Sequence, residues 1–572
     1  MRAPIAVGAA LILIALALVL VYDHTREDAL SADEPIHILS GYFAVAAGSA
    51  IVNIEHPPLM KVLSGLALSR LPLNPPPSRV PMGSPFTTYG PEFFFGNTVN
   101  ADRIIAVARA PFLGVFAALL LLVLFTARAR YGWPAALFAV AICAMDPNLV
   151  AHAGVVHTDL GAALTFLAAV LAWNAAQKRP TLARLGLSAL CLGLALATKF
   201  SAVYLLPILL LQTLLAGRGE AGMPRLGADL VRLFAVSIGA LAVVVAIYAP
   251  VTARMDRADQ KTIIREKVAL DGRAPELAER IVAVADVSPA LAHYLGGLAS
   301  VARQNAIGGG VTYLNGRIST VGFPQYFLVA FGAKSTLAFL GVTAAILLAA
   351  LRRRADLSEE LRVFLLPVVV LFVASIGTTY NIGIRHLLPI YPFLALFGAA
   401  LFARAWERRK LGLRAGTAAA IWVALPLVSA AEIARIHPHE LSYFNALSGG
   451  PVAGAHILSD SNIDWGLDLK RLAVEVRRRG VSDATVSYFG GDRVDYRLSI
   501  PDFSALPVVR GRLVAISAFL LAEGPEFYAY HGAMAQAGSL RSLQRRIAAA
   551  GPPVGRVGYS IYLFELPQGD NP

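Results

Sequence analysis

Cysteine is nearly missing: the 572 residues contain two, Cys143 and Cys191, and both lie inside apolar runs. A disulfide framework and a cysteine metal site are therefore excluded. Charge is also scarce. Asp, Glu, Lys and Arg make up 15% of the chain, against about 25% in soluble domains. That scarcity excludes a soluble enzyme, a disordered protein and a coiled coil. No repeat and no low-complexity tract interrupts the pattern.

Apolar sequence is abundant. Hydrophobic residues reach 56% and mean hydropathy is +0.61. A spanning helix needs roughly 20 apolar residues. Runs of this kind fall at about 5–22, 103–127, 133–147, 158–176, 183–198, 200–217, 231–250, 325–351, 363–380, 387–403 and 415–433. The pattern predicts an all-α polytopic membrane protein with about 11 spans. The run Leu182–Ala216 is too long for one span at 1.5 Å per residue, and Lys199 divides it.

Short-loop Lys and Arg set orientation. With the N-terminus inside, the inner segments carry Arg2, Arg128, Arg130, Lys178, Arg179, Arg184, Arg218, Arg225, Arg232, Arg352, Arg353, Arg354, Arg362, Arg404, Arg408, Arg409, Lys410 and Arg414. Glu220, Asp229, Asp356, Glu359, Glu360 and Glu407 are their acids, so nearly all of the net +13 sits on this face. The basic excess is a topology signal and an attraction to anionic lipid, not a sign of nucleic-acid binding. The first span has a weak basic start and no small-residue cleavage site before Asp23, and reads as an uncleaved anchor.

Residues 1–433 then form the membrane domain, with outer loops at about 23–102 and 251–324, and 434–572 form an extracytoplasmic domain. The tail has near charge balance and reads as α/β. Strands are expected at Ala455–Leu458, Ala484–Phe489, Leu513–Ser517 and Tyr559–Leu566. A helix is expected at Leu467–Arg479, ended by Gly480.

Ionisable residues cluster on the predicted outer face. Ser31-Ala-Asp-Glu-Pro-Ile-His37 follows the first span; Asp33 and Glu34 there either cap a helix that Pro35 opens or serve chemistry. Asn53-Ile-Glu-His-Pro-Pro-Leu-Met-Lys61 places Glu55 and His56 either at a loop–helix junction or in a site. His157-Thr-Asp159 puts an acid against an apolar run, where ionised groups are costly and functional by default. Lys199 lies between two spans, Lys334 inside an apolar run, and Arg385 and His386 at the start of another. Snorkelling to headgroups is the ordinary alternative for Arg385. Together these acids and cations match what a phosphate leaving group and a hydroxyl nucleophile require.

The same residues resemble a known group. Asp33-Glu34, Glu55-His-Pro-Pro-Leu59, Gly193-Leu-Ala-Leu-Ala-Thr-Lys-Phe200, Tyr313-Leu-Asn-Gly316 through Gly322-Phe-Pro-Gln-Tyr-Phe327 to Lys334, and Asp460-Ser-Asn-Ile-Asp-Trp-Gly-Leu-Asp-Leu-Lys-Arg471 are similar to bacterial lipid-carrier-dependent glycosyltransferases. These are related to protein O-mannosyltransferases and lipid A aminoarabinose transferases, and the resemblance covers most of the chain. It implies the GT-C membrane fold and outer-face transfer of a sugar from a polyprenyl phosphate, usually with inversion. It implies catalytic roles for Asp33, with Glu34 beside it, and for Asp159. At Glu55 and His56 related enzymes place a metal-binding acid or a phosphate-facing basic residue. Phe331-Gly-Ala-Lys-Ser-Thr336 departs from the Lys-Thr-Pro often found in relatives, and the tail is not a β-trefoil.

The combined expectation is an inner-membrane glycosyltransferase. Asp33 is the base, with Glu34 and Asp159 in catalytic support. Lys199, Arg385, His56, Lys334 and His386 serve the donor phosphate. The reaction requires no cofactor, or a divalent cation with Glu55 as a ligand. The partners are a polyprenyl-phosphate sugar, a glycan, lipid or protein acceptor, and the membrane, without nucleic acid. The alternatives are a flippase of lipid-linked sugars, which also needs wet intramembrane charges, and a non-catalytic envelope assembly protein.

Overall fold

A computed structural model describes residues 3–76, 85–216, 226–269, 272, 274–352, 357–409, 413–481, 483–498 and 511–567. Arg2, Arg218, Glu220, Arg225, Arg353, Arg354, Asp356 and Lys410 of the expected inner segments lie outside them.

Helices underlie every apolar run. Five described helices are long and apolar enough to cross a membrane: Ala3–Glu27, Ala101–Ala144, Asp159–Lys178, Leu226–Thr252 and Gly416–Ile436. Shorter apolar helices, among them Leu182–Leu196 and Leu337–Leu351, join them. The chain is a multi-pass membrane protein. Residues 103–127 and 133–147, expected as separate spans, lie in two helices within Ala101–Ala144 that meet at non-helical backbone at Gly132 (φ 79°). Residues 325–351 were expected as one span, but two helices occupy them, Tyr326–Lys334 and Leu337–Leu351, parted by extended Ser335 and Thr336. The division at Lys199 is present: Lys199 is extended between Leu182–Leu196 and a 3₁₀ turn over Phe200–Tyr204.

The segment after the first span folds back on itself. Helices Glu34–Ala46 and Leu59–Leu68 touch backbone to backbone at Gly41 and Gly65. A Cβ on Gly41 would sit 2.0 Å from the Lys61 carbonyl oxygen, and one on Gly65 2.0 Å from that of Gly41. Only glycine permits that approach, and it fixes the two acidic motifs of the loop against each other. The segment after the span Leu226–Thr252 adds helices Arg257–Val268, Pro275–Val287 and Pro289–Ile307, whose apolar core includes Ile54. Gly297 lets this layer press onto the loop; a Cβ there would lie 2.3 Å from the Ile54 carbonyl oxygen. An antiparallel hairpin follows, β1 (Thr312–Leu314) with β2 (Arg317–Ser319).

The tail contains a four-stranded mixed sheet of β3 (Thr485–Ser487), β4 (Leu513–Ser517), β5 (Gly555–Val557) and β6 (Ile561–Glu565), in the order β3-β4-β6-β5. β3 runs parallel to β4, and β6 is antiparallel to both neighbours. Helix Leu469–Arg479 buries Leu469, Leu472, Ala473 and Val476 and ends at Gly480 in the left-handed region (φ 66°). The expected strand Ala455–Leu458 is not one; Leu458 makes only an isolated bridge to Leu314. The stretch after it laces into the segment that follows the first span: Ala29 N–H donates to Leu467 O at 2.8 Å and Ala32 N–H to Trp465 O at 2.9 Å.

Candidate active site

Ser31 and Glu34 cap helix Glu34–Ala46 reciprocally. Ser31 N–H donates to Glu34 Oε2 at 3.0 Å and Glu34 N–H to Ser31 Oγ at 3.3 Å, the reciprocal pairing of a capping box set two residues ahead of the N-cap position. This settles the capping question for Asp33. It stands at the N-cap position and makes no side-chain cap bond. Its carboxylate points elsewhere: Arg385 Nη1 donates to Asp33 Oδ2 at 2.7 Å, and His157 Nε2 lies 3.6 Å from the same oxygen.

Glu34 is fully buried and is held in a two-pronged pair by Arg109, Nε to Oε1 at 2.7 Å and Nη2 to Oε2 at 2.6 Å. Oε1 also accepts from Val156 N–H at 3.1 Å. The Glu34 oxygens tie the first loop to helix Ala101–Ala144 and to the segment before Asp159, whereas the expected catalytic support would need one of them free. Arg109 itself was not anticipated. It also donates to Ala29 O at 2.7 Å.

Asp159 opens helix Asp159–Lys178 and is buried. One oxygen pairs with Lys199 Nζ, the other lies 2.5 Å from His157 Nδ1. His157 Nε2 in turn lies 3.3 Å from Arg385 Nη1. Asp33, Arg385, His157, Asp159 and Lys199 therefore form one connected cluster drawn from four stretches of sequence. Asp33 is its accessible acid, with 37% of its side chain exposed, against 0% for Asp159 and 4% for Arg385. Burial opposes ionisation of Asp33, but the Arg385 guanidinium and the His157 ring hold its carboxyl well below the usual carboxylate range. Burial alone would discharge Arg385; Asp33, then Asp159 and Asp460, keep it firmly protonated. Low local dielectric makes such contacts strong.

The floor of this cluster comes from the tail. Arg385 Cζ lies 4.4 Å from the Trp465 ring centroid, and the same indole meets His157 edge-on at 5.5 Å. Asn462 accepts from Ile384 N–H at 3.0 Å and donates to Tyr326 Oη at 2.9 Å, fixing the 3₁₀ turn that carries Arg385.

The remaining expected residues divide. His386 lies beside the cluster, where burial, then the charges of Lys199 and Arg385, keep its ring neutral. His56 packs edge-on against His37 and His157, at 4.7 and 5.7 Å between centroids. Lys61 braces the loop beneath it, donating to Asn53 O at 2.9 Å and His56 O at 2.7 Å. Lys334 does not face the cluster. It ends its helix and donates to Leu441 O at 2.7 Å and Asn462 O at 2.5 Å, under the ring of Phe444. Those carbonyls replace the phosphate expected for it. Glu55, expected as a possible metal ligand, has its Oε1 accepting from Gln304 at 2.7 Å and Lys267 at 3.0 Å. The group among the described residues with metal-binding geometry is His37, His56 and His157.

No protein-family model matches the chain, and no curated protein matches it by sequence. Solved structures do. The apo oligosaccharyltransferase of Archaeoglobus fulgidus aligns at TM-score 0.50 and 12% identity over 99% of this chain and 75% of that one. The form tethered to an acceptor peptide gives 0.50 and 12% over 94% and 72%. The fold is GT-C. ArnT from Cupriavidus metallidurans aligns over 98% of both chains at 15% identity and TM-score 0.34. The GT-C expectation drawn from the sequence resemblance holds, and the cluster described above sits where the loop after the first span, the helix start at Asp159 and the Arg385 turn of this fold meet.

Proposed function

We propose that the chain is a glycosyltransferase moving a sugar from a polyprenyl-phosphate donor to a hydroxyl of a glycan, lipid or protein acceptor, on the extracytoplasmic side of a bacterial inner membrane, with inversion. The observation that carries this reading is the placement of Asp33: a half-exposed carboxylate released from helix capping and set beside a guanidinium. A base and a cationic phosphate site are the two components the transfer requires. The GT-C fold shared with an oligosaccharyltransferase supports group transfer over transport.

Arg385 and Lys199 receive the carrier phosphate. Arg385 then gives up part of its pairing with Asp33 to phosphate oxygens, which removes the main charge that keeps Asp33 a weak base. The acceptor hydroxyl passes its proton to Asp33 as its oxygen bonds to the anomeric carbon. The bond from that carbon to the phosphate oxygen breaks, and its electron pair leaves with polyprenyl phosphate. That group is a stable anion, so no acid is needed. Asp159 holds Lys199 and His157 in place. Attack and departure on opposite faces of the ring give inversion in one displacement.

The contacts of Trp465 and Asn462 with the Arg385 turn support putting the site and the domain of residues 434–572 on the same side of the membrane. The basic inner segments make that side extracytoplasmic. The test is incubation of the purified chain with a polyprenyl-phosphate sugar and candidate hydroxyl acceptors. The expected products are free polyprenyl phosphate and a glycoside of inverted configuration; a retained configuration contradicts the single displacement.

A further inference from the structure

Three buried histidines converge at the edge of the cluster. His37 comes from helix Glu34–Ala46, His56 from the braced loop, and His157 from the segment before Asp159. Their ligand atoms all lie within 4.8 Å of one another. The rings stand edge-on, with centroids 4.5 to 5.7 Å apart and interplanar angles of 71 to 76°.

Buried polar atoms in folded proteins are nearly always hydrogen-bonded. His37 departs from this at both ends: it is 1% exposed, and among the described residues neither Nδ1 nor Nε2 has a hydrogen-bond partner. His56 Nδ1 is buried and unpartnered as well. Neutral imidazole is the form that binds metal. His157 Nδ1 lies 2.5 Å from a carboxylate oxygen of Asp159, and a nearby carboxylate is a common neighbour of metal-bound imidazoles.

We propose that His37, His56 and His157 bind one divalent transition-metal ion of the zinc class through three imidazole nitrogens. Three imidazoles suit zinc, cobalt or nickel and disfavour magnesium and calcium, which take oxygen ligands. Three protein ligands also leave a coordination position open, next to Asp33. Cluster acids Asp33 and Asp159 offset cations Arg385 and Lys199, so a bound dication leaves a net positive site suited to an anionic donor phosphate. The ligand set differs from the one the sequence resemblance implies, which uses Glu55. The last point rests on the transferase reading; ion binding does not.

The experiment uses the full chain in detergent micelles, without a polyhistidine tag, stripped by a chelator. Zn²⁺ and Co²⁺ are added separately, excess ion is removed, and retained metal is counted by mass spectrometry. Visible ligand-field absorption reports the Co²⁺ ligands. The expected result is one Zn²⁺ or Co²⁺ per chain, not displaced by excess Mg²⁺ or Ca²⁺, and a rise in unfolding temperature on Zn²⁺ addition. His37→Gln and His56→Gln should each weaken retention by about tenfold or more and lose the temperature rise. His531→Gln, in the tail, should change nothing. Two cluster variants guard against one that fails to fold, since the unfolding temperature of each stripped variant is read directly. No retained ion, or retention equal in wild type and both cluster variants, overturns the proposal. Donor turnover is scored separately: turnover without retained metal removes the ion and leaves the transferase reading, and retained metal without turnover does the reverse.

Discussion

Arg385 Nη1 donates to Asp33 Oδ2 at 2.7 Å, so the cation assigned to the leaving group also restrains the carboxylate assigned to the acceptor. The two residues are 352 positions apart. In the proposed reaction, their pairing couples donor arrival to activation of the base.

Replacing the base separates binding from chemistry. Asp33→Asn should lower transfer by on the order of 10²–10⁴-fold while the protein still binds donor. Donor affinity should hold or rise, because Arg385 loses its resident anion. Turnover assays paired with donor-binding titrations check both halves. Normal turnover in a folded Asp33→Asn protein would return Asp33 to a local structural role.

Replacing Arg385 tests the other half. Arg385→Ala should weaken donor binding and slow transfer, and Lys199→Ala should do the same, because a charge-assisted contact to phosphate is among the stronger hydrogen bonds in proteins. Arg385→Lys should rescue only in part, having lost the planar fork and the stacking on Trp465. Binding titrations with the three variants give the order expected: wild type, then Lys, then Ala. Donor affinity unchanged in both alanine variants would remove these cations from the site.

Glu34 should behave unlike its neighbour Asp33. It is fully buried on Arg109, and removing one partner of a buried ion pair typically costs about 3–5 kcal/mol. Glu34→Ala and Arg109→Ala should therefore lower thermal stability strongly. In Glu34→Gln, which keeps part of the hydrogen bonding, activity per folded molecule should fall far less than in Asp33→Asn. Melting curves with active-fraction measurements test the contrast.

The site was partly legible in the sequence, for a physical reason. Asp33, Asp159, Lys199 and Arg385 stand at the ends of apolar runs, where charge is conspicuous, and the structure gathers all four. The others were hidden by the same logic. Arg109 sits near the start of a long apolar run and looks like an ordinary boundary charge until Glu34 is found opposite it. His37 reads as one polar residue on a helix, and Trp465 lies 80 residues beyond Arg385 with nothing local to connect them. Lys334 misled in the opposite direction: a lysine in an apolar run demands a partner, but backbone carbonyls at a helix end supply it. The break at Ser335 and Thr336 that creates that end carries no proline or glycine. In the tail, three strands and one helix followed from periodicity and Gly480, whereas the three-residue β5 is too short to show any alternation.

His437 gives a pH dependence outside the site. Its ring lies 2.5 Å from Glu440 and 2.9 Å from Asp23. The Glu440 hydrogen bond, against burial, and then Asp23 raise it to about 9. A raised folded value means the contribution is fully present below the unfolded value of about 6.5 and is lost as pH rises through about 9. Unfolding temperature should therefore fall over that window, and His437→Gln should flatten the fall. An identical slope in wild type and variant would show that the pair contributes nothing.

Topology is checked by reporter fusions. Fusions after Leu441 and after Arg352 should report opposite sides of the membrane, with Leu441 outside. The same side for both would overturn the orientation and with it the placement of the site.

The central claim is cleavage of a lipid-phosphate sugar by this cluster. Wild type and Asp33→Asn, each purified and reconstituted in nanodiscs, are mixed with a polyprenyl-phosphate sugar labelled in the sugar and with hydroxyl acceptors, and the label is followed by chromatography. The account predicts that wild type moves the label from lipid to acceptor and that Asp33→Asn leaves it on the lipid although the lipid is bound. Label remaining on intact lipid with both proteins, while vesicle-reconstituted wild type moves that lipid across the bilayer, would contradict the transferase reading and establish transport.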